Sequence, residues 1–294
     1  MNYFRKVSEC DSTIVFDIED SIMEVGHPER SRSLKVKYRK ILIGLLSEHV
    51  QIYRDHRIGI RINDVRSVEF QNDIRMLGQL RSVSWDVIII PKVEYRADIE
   101  LVLNELKKNN VSYRAIGIFA ETEKGVENLQ DIIHPAFPEL EYVIFGHSDF
   151  NIDNNIFPFV HQDHPEYWNW VNKIQSQLAG TNITYINSPC FYLGDDKMMR
   201  SMLDQLYARS SINYGQMTLT YQQTLSCHHH QPVPCSSDQL SSKMPDAIEF
   251  AQYVIDKLHD KDKDKSFAVD QRKHLLTPHE IIVAKQIMAE HKGK

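Results

Sequence analysis

Two short phrases, Phe119-Ala120-Glu121-Thr122-Glu123-Lys124-Gly125-Val126 and Phe145-Gly146-His147-Ser148-Asp149-Phe150, each set one carboxylate just past an apolar run. A run of that kind reads as a buried parallel strand whose end opens toward a loop. Carboxylates on neighbouring strand ends can hold one hard divalent cation. More polar groups end other runs: Asp17, Glu19 and Asp20 after Val15-Phe16, Arg61 and Asn63 after Gly59-Ile60, and Lys92 and Glu94 after Ile90-Pro91. The planar fork of Arg61 can grip a substrate carboxylate through two parallel hydrogen bonds. Asp17, Glu19 and Asp20 cannot all touch one cation without strong mutual repulsion, so at least one has a structural role. Lys92 reads either as a substrate contact or as the partner of Glu94 or a neighbouring acid.

These residues need a scaffold that brings several strand ends together. Apolar, β-branched runs recur at Thr13–Phe16, Ile58–Ile62, Val87–Ile90, Ala115–Phe119, Tyr142–Phe145, Thr184–Ile186 and Met217–Leu219. Helical spacing separates most of them. Between Pro28 and Val50, Leu34, Tyr38, Ile41, Leu42 and Leu45 fall on one helical face, and Ala97–Asn109 repeats the pattern. Further helices are predicted at Ser67–Arg81, Lys124–Ile133, Glu166–Leu178, Asp195–Ser210, Asp246–Leu258 and Pro278–Glu290. The steps from Arg61 to Pro91, Glu121 and Asp149 are 30, 30 and 28 residues, close to the ~31 of a (β/α)8 barrel of ~250 residues. The expected fold is therefore a (β/α)8 TIM barrel over residues 1–225, with 226–294 supplying a loop and extra C-terminal helices that complete or cap it. Met1–Val7 would be an atypically short first strand, too close to the next for a normal crossover helix.

In these residues the chain resembles the citrate lyase β-subunit-like branch of the HpcH/HpaI aldolase superfamily. The resemblance rests on five segments in the family's order: Phe16-Asp17-Ile18-Glu19-Asp20, Arg61-Ile62-Asn63, Ile90-Pro91-Lys92-Val93-Glu94, Glu121-Thr122-x-x-Gly125-Val126 and Gly146-x-x-Asp149-Phe150. It covers roughly residues 13–224, and Leu276-Thr277-Pro278-His279-Glu280-Ile281 is similar to a late helix start of the family. The resemblance implies a Mg²⁺-dependent barrel that makes or breaks a carbon–carbon bond beside a carboxylate or thioester. It also implies Glu121 and Asp149 as metal ligands and Arg61 as the clamp on the substrate carboxylate, beside which Lys92 is a candidate substrate contact and Asn63 reads equally as a substrate contact or a turn cap. Glu19 and Asp20 would orient metal-bound waters or Arg61. The metal would stabilise an enolate as a Lewis acid. A homo-oligomer, trimer or hexamer, is also implied.

The departures steer the choice of substrate. Thr220 and Tyr221 replace the His and Pro of the family's eighth-strand motif, and the short N-terminal segment lacks its usual CoA-receiving strand and helix. The expectation is thus a lyase or aldolase for a small carboxylated substrate, a 2-oxo or 3-hydroxy acid or a sugar-derived one. An acyl-CoA lyase of the citryl- or malyl-CoA type is the alternative, and a catalytically silent barrel used for binding or assembly is the alternative of another class.

The 294 residues carry a formal charge of −6, with 42% hydrophobic and 25% charged side chains. That balance fits a large-cored protein and offers no broad basic face for nucleic acid. No apolar run reaches the ~20 residues needed to cross a bilayer, and no signal-peptide pattern opens the chain. Four scattered cysteines fit a reducing compartment, so the expected location is cytoplasmic. Cys227-His228-His229-His230-Gln231-Pro232-Val233-Pro234-Cys235 is rich in soft ligands but matches no zinc spacing and reads as an exposed loop. His161-Gln162-Asp163-His164 could line the site from a long loop, although a surface loop is its simpler reading. Tyr167-Trp168-Asn169-Trp170 reads as core or interface packing, and the alternating run Asp260–Lys265 as a solvated connection.

Overall fold

In a computed structural model of the chain, residues 2–22, 24, 26–233, 240, 243–259, 268–270 and 273–292 are described. Seven parallel strands form one sheet in sequence order: β1 (Ile14–Asp17), β2 (Ile58–Arg61), β3 (Ser84–Ile90), β4 (Ser112–Ala120), β5 (Leu140–Phe145), β6 (Thr184–Asn187) and β7 (Tyr214–Gln216). A two-stranded antiparallel pair, β8 (Ala268–Val269) and β9 (Leu275–Leu276), stands apart. The helices before β5 are α1 (Asn2–Ser8), α2 (Pro28–Glu48), α3 (Gln51–Asp55), α4 (Val68–Gln79), α5 (Arg96–Lys108), α6 (Glu123–Glu127) and α7 (Leu129–Ile133). Those after it are α8 (His147–Asp153), α9 (Pro165–Leu178), α10 (Asp196–Arg209), α11 (Tyr221–His229), α12 (Ala247–His259) and α13 (Pro278–Lys292).

The strands are apolar on both faces because both faces are covered. Ile88, Ile90, Ile116, Ile118, Val143 and Phe145 pack into the large core beneath the helices. Their alternating neighbours Val87, Ile89, Phe119 and Ile144 form a second cluster with Tyr142, Ile186 and Met217, which lines the inner side of the curled sheet. Helix α4 shows how the outer layer is specified. Ser67 accepts the backbone N–H of Glu69 as its cap, and Phe70, Ile74 and Leu77 then recur at helical spacing on the buried face. Each such side chain contributes roughly 1.5–3 kcal/mol by leaving water.

The expected closed eight-stranded barrel is corrected at its beginning. The predicted first strand at Met1–Val7 is replaced by α1 over the described residues, because a parallel crossover needs about a dozen residues and only a few intervene before β1. Val7 is buried, and the Phe4 ring lies 6.1 Å from that of Phe16. At the other edge, β7 precedes the predicted Met217–Leu219 strand, and among the described residues β7 and β1 do not pair. Helices α1 and α11 meet instead, with Lys6 Nζ 5.7 Å from the Tyr221 ring. The predicted Lys124–Ile133 helix is broken at Asn128 into α6 and α7.

The C-terminal helices carry a separate apolar cluster of Ala251, Val254, Leu276, Ile281 and Ala284, and α13 touches α8. Cys227, His228 and His229 lie in helix α11 rather than in a loop, whereas Cys235 and the Asp260–Lys265 run fall outside the described residues. Cys10, Cys190 and Cys227 are free. No helix among the described residues is long and apolar enough to cross a membrane.

Candidate active site

Glu121 is the first residue after β4, and Thr122 immediately caps α6 by accepting the Gly125 N–H at 3.0 Å. The carboxylate is therefore fixed between a strand end and a helix start, at 1% exposure. Gly146, just past β5, is required by close approach, since a Cβ there would collide with the Glu121 carboxylate. Asp149 follows in the first turn of α8.

Lys92 binds these strand ends together. Its backbone adopts φ 51°, a left-handed conformation that an L side chain adopts at an energetic cost. That turn lets its N–H donate to Glu121 Oε1 at 2.8 Å, while its ammonium lies 3.3 Å from Asp149, 3.2 Å from Glu19 and 3.9 Å from Asp20. Glu94 instead pairs with Arg66. Arg61, at the end of β2, gives Nε and Nη2 to Asp17, and its Nη1 lies 3.2 Å from Glu19 and 3.5 Å from Asp20. The face of the guanidinium rests 5.2 Å from the Phe119 ring.

Burial and charge pull these acids apart. Burial pushes the Glu19 carboxyl up to about 8, with the negative charge of Asp20 adding to it against the pull of Arg61 and Lys92. Burial would raise Asp20 as well, but Arg61, Lys92 and His279 hold it well below the ordinary carboxylate range. Glu121 lies well above that range through burial and the charges of Asp149 and Glu19. The Lys92 ammonium is raised against its own desolvation by Asp149, Asp20 and Glu19. A divalent cation fits this donor set. The donors are hard oxygens, and a positive ion would reverse the repulsion that raises Glu121.

Asn63 is placed elsewhere. It is buried, its backbone N–H and Nδ2 reach Asp73 at 2.6 and 2.8 Å, Nδ2 also reaches the Ile18 carbonyl at 3.1 Å, and its Oδ1 accepts from Lys35. Asp73 in turn accepts Arg39 Nε at 2.6 Å. This network ties the end of β2 to α2 and α4. A cleft of about 320 Å³ opens beside Glu19 and Asp20, walled by His27, Ser31, Lys35 and Ile282.

One residue that sequence reasoning missed joins the site. His279, at the start of α13, brings Nε2 to 3.7 Å from Asp149 Oδ1 and 3.9 Å from Asp20 Oδ2, and one donor atom from each of the three lies within 4.8 Å of the others. Its only signal was the Thr277-Pro278 helix start, which gives no hint of where α13 docks. His161, read from the sequence as a surface-loop histidine or a residue lining the site, lies instead in a buried cluster. There it contacts His147 at 3.0 Å and Glu280 at 3.3 Å. Burial and neighbouring imidazoles lower His147 far below its ordinary value and His274 to about 4.

A parallel, curled α/β sheet defines the structural class, and solved structures share that fold. RipC from Yersinia pestis aligns with TM-score 0.57 and 19% identity over 73% of this chain and 86% of that one. The Mycobacterium tuberculosis citrate lyase β subunit, complexed with oxaloacetate and magnesium, gives 0.54 and 14% over 77% and 90%. Haloferax volcanii malate synthase, in a pyruvate/acetyl-CoA ternary complex, gives 0.69 and 13% over 98% and 85%. At such identities the likeness concerns the fold alone. The chain has no significant match among curated protein sequences. Residues 6–185 match the HpcH/HpaI aldolase/citrate lyase family, and the chain belongs to that family.

Proposed function

We propose that the protein is a Mg²⁺-dependent carbon–carbon lyase or aldolase acting on a small carboxylated substrate, a 2-oxo or 3-hydroxy acid. The observation that carries this reading is Glu121, buried at 1% exposure with its charge opposed by Asp149, at a strand-end cluster that family membership connects with aldol-type chemistry. Glu121 and Asp149 would hold the metal. Bound there, Mg²⁺ supplies Lewis-acid stabilisation of negative charge on the substrate oxygens.

The remaining steps belong to the chain's own residues. Arg61 receives the substrate carboxylate in exchange for Asp17, the most exposed of its acidic partners at 28%. Glu19 and Asp20 keep Arg61 and Lys92 aimed at the strand ends. Lys92 stays beside Asp149 and offsets the negative charge that develops on the substrate. His279 donates a hydrogen bond to a substrate oxygen from the α13 side.

Calorimetric titration with Mg²⁺ and with pyruvate or oxaloacetate, combined with product assays on a panel of such acids, tests the reading. Divalent-ion uptake and turnover abolished by EDTA are expected. A folded protein that takes up no divalent ion, with or without keto acid, overturns it. Turnover confined to CoA esters would move the substrate to the acyl-CoA class.

A further inference from the structure

We propose that His161, His274 and Glu280 form a second metal site, buried and suited to a borderline transition ion of the Zn²⁺ class. One donor atom from each lies within 4.8 Å of the others. His161 and His274 are each 7% exposed, and Glu280 is fully buried. A tetrahedral ion with bonds of about 2.0–2.2 Å holds its donors roughly 3.4 Å apart. The His161 Nε2 to Glu280 Oε1 distance is already 3.3 Å.

A second observation points to a ligand. His274 Nε2 is buried without a hydrogen-bond partner among the described residues. Buried polar atoms are nearly always satisfied, so an orphaned nitrogen on an imidazole grouped with two further donors calls for an occupant. A hydrogen-bonded relay from His147 through His161 to Glu280 accounts for those three residues and leaves His274 unexplained.

The surroundings are those of a supported site. His147 holds the far nitrogen of His161 at 3.0 Å, which orients its Nε2. Thr277 donates its backbone N–H and hydroxyl to Glu280 Oε2 at 2.9 and 3.1 Å, leaving Oε1 for the ion. The Tyr192 ring stacks on His274 at 4.7 Å, and the His274 backbone N–H is anchored on Asp270 at 2.9 Å. Two imidazoles and one carboxylate select zinc, cobalt or nickel over Mg²⁺, which prefers oxygen alone. Bound there, the ion would pin the start of α13, where His279 follows Pro278 toward Asp149.

The test uses full-length, tag-free protein held in excess Mg²⁺. Elemental analysis is expected to find about one equivalent of a first-row transition metal after dialysis. Co²⁺ added to chelator-treated protein is expected to produce visible d–d absorption. Both signals should vanish in His274→Gln and Glu280→Gln, and persist in Asp149→Ala and in His228→Ala/His229→Ala, which removes exposed imidazoles of α11. His147→Phe should weaken Co²⁺ binding about 10–100-fold. Wild-type protein that neither retains a transition metal nor binds Co²⁺ overturns the proposal, as does retention that is unchanged in folded His274→Gln.

Discussion

Two polar clusters meet at the start of α13 and accommodate burial in opposite ways. Around Lys92 and Arg61, acids crowd together in a half-open space, and their charge is balanced by an ammonium, a guanidinium and a large upward shift of Glu121. Around His161, by contrast, burial drives His147 and His274 down toward their neutral forms. His279 and Glu280 are adjacent in the chain, yet one faces each cluster. The difference teaches that the donor atoms gathered, and the protonation their surroundings impose, decide which ion a buried cluster suits. The first cluster offers oxygens to a hard ion and an anionic substrate, and the second offers two imidazole nitrogens and one carboxylate oxygen to a softer ion.

The sharpest way to break this contrast is to remove the oxygen donors. Glu121→Ala or Asp149→Ala should abolish Mg²⁺ uptake by calorimetry and lower kcat on the order of 10³-fold, several kcal/mol of lost charge stabilisation. Unchanged turnover in either folded variant would remove the proposed active site. Lys92→Met comes next, because it leaves buried carboxylates without their shared cation. A loss of about 3–5 kcal/mol in denaturant unfolding is expected, partly restored by Mg²⁺. If salt without divalent ion restores it equally, the site does not prefer a divalent cation.

Arg61→Lys should raise KM for the keto acid roughly 10–100-fold while metal uptake persists, since a point charge loses one or more charge-assisted hydrogen bonds of about 1.5–3 kcal/mol each. Unaltered kinetics would assign Arg61 to holding Asp17, Glu19 and Asp20 alone. Asn63→Ala should have the smallest effect on chemistry. Its removal takes the Nδ2 hydrogen bond from Asp73 and the one to the Ile18 carbonyl, while the backbone N–H still donates to Asp73, so about 1–3 kcal/mol of stability is lost in chemical denaturation, with Mg²⁺ affinity unaltered. A rise in substrate KM without loss of stability would instead return Asn63 to the substrate.

Much of the charged cluster was legible in the sequence because strand ends are local events. An apolar run that stops at Ala120 or Phe145 says where a buried strand must end, and the next polar residue is carried to the sheet's rim. The roles within the rim were less legible. That Asn63 turns to Asp73 while Lys92 turns to Glu19 and Asp149 depends on side-chain directions and on a left-handed residue that spacing does not encode. The strand expected at Met1–Val7 failed for a related reason, since short apolar segments fit either period and the available crossover length decided between them.

The order of the seven strands, most of the long outer helices and the family were legible in the sequence, through hydrophobic periodicity and motif order over neighbouring βα units. The opening between β7 and β1, the arrival of His279 beside Asp149, and the gathering of His147, His161, His274 and Glu280 were decided only by tertiary structure. Those arrangements join segments more than a hundred residues apart, and the docking of α13 depends on how it packs against α12 and α8 rather than on any pattern within one segment.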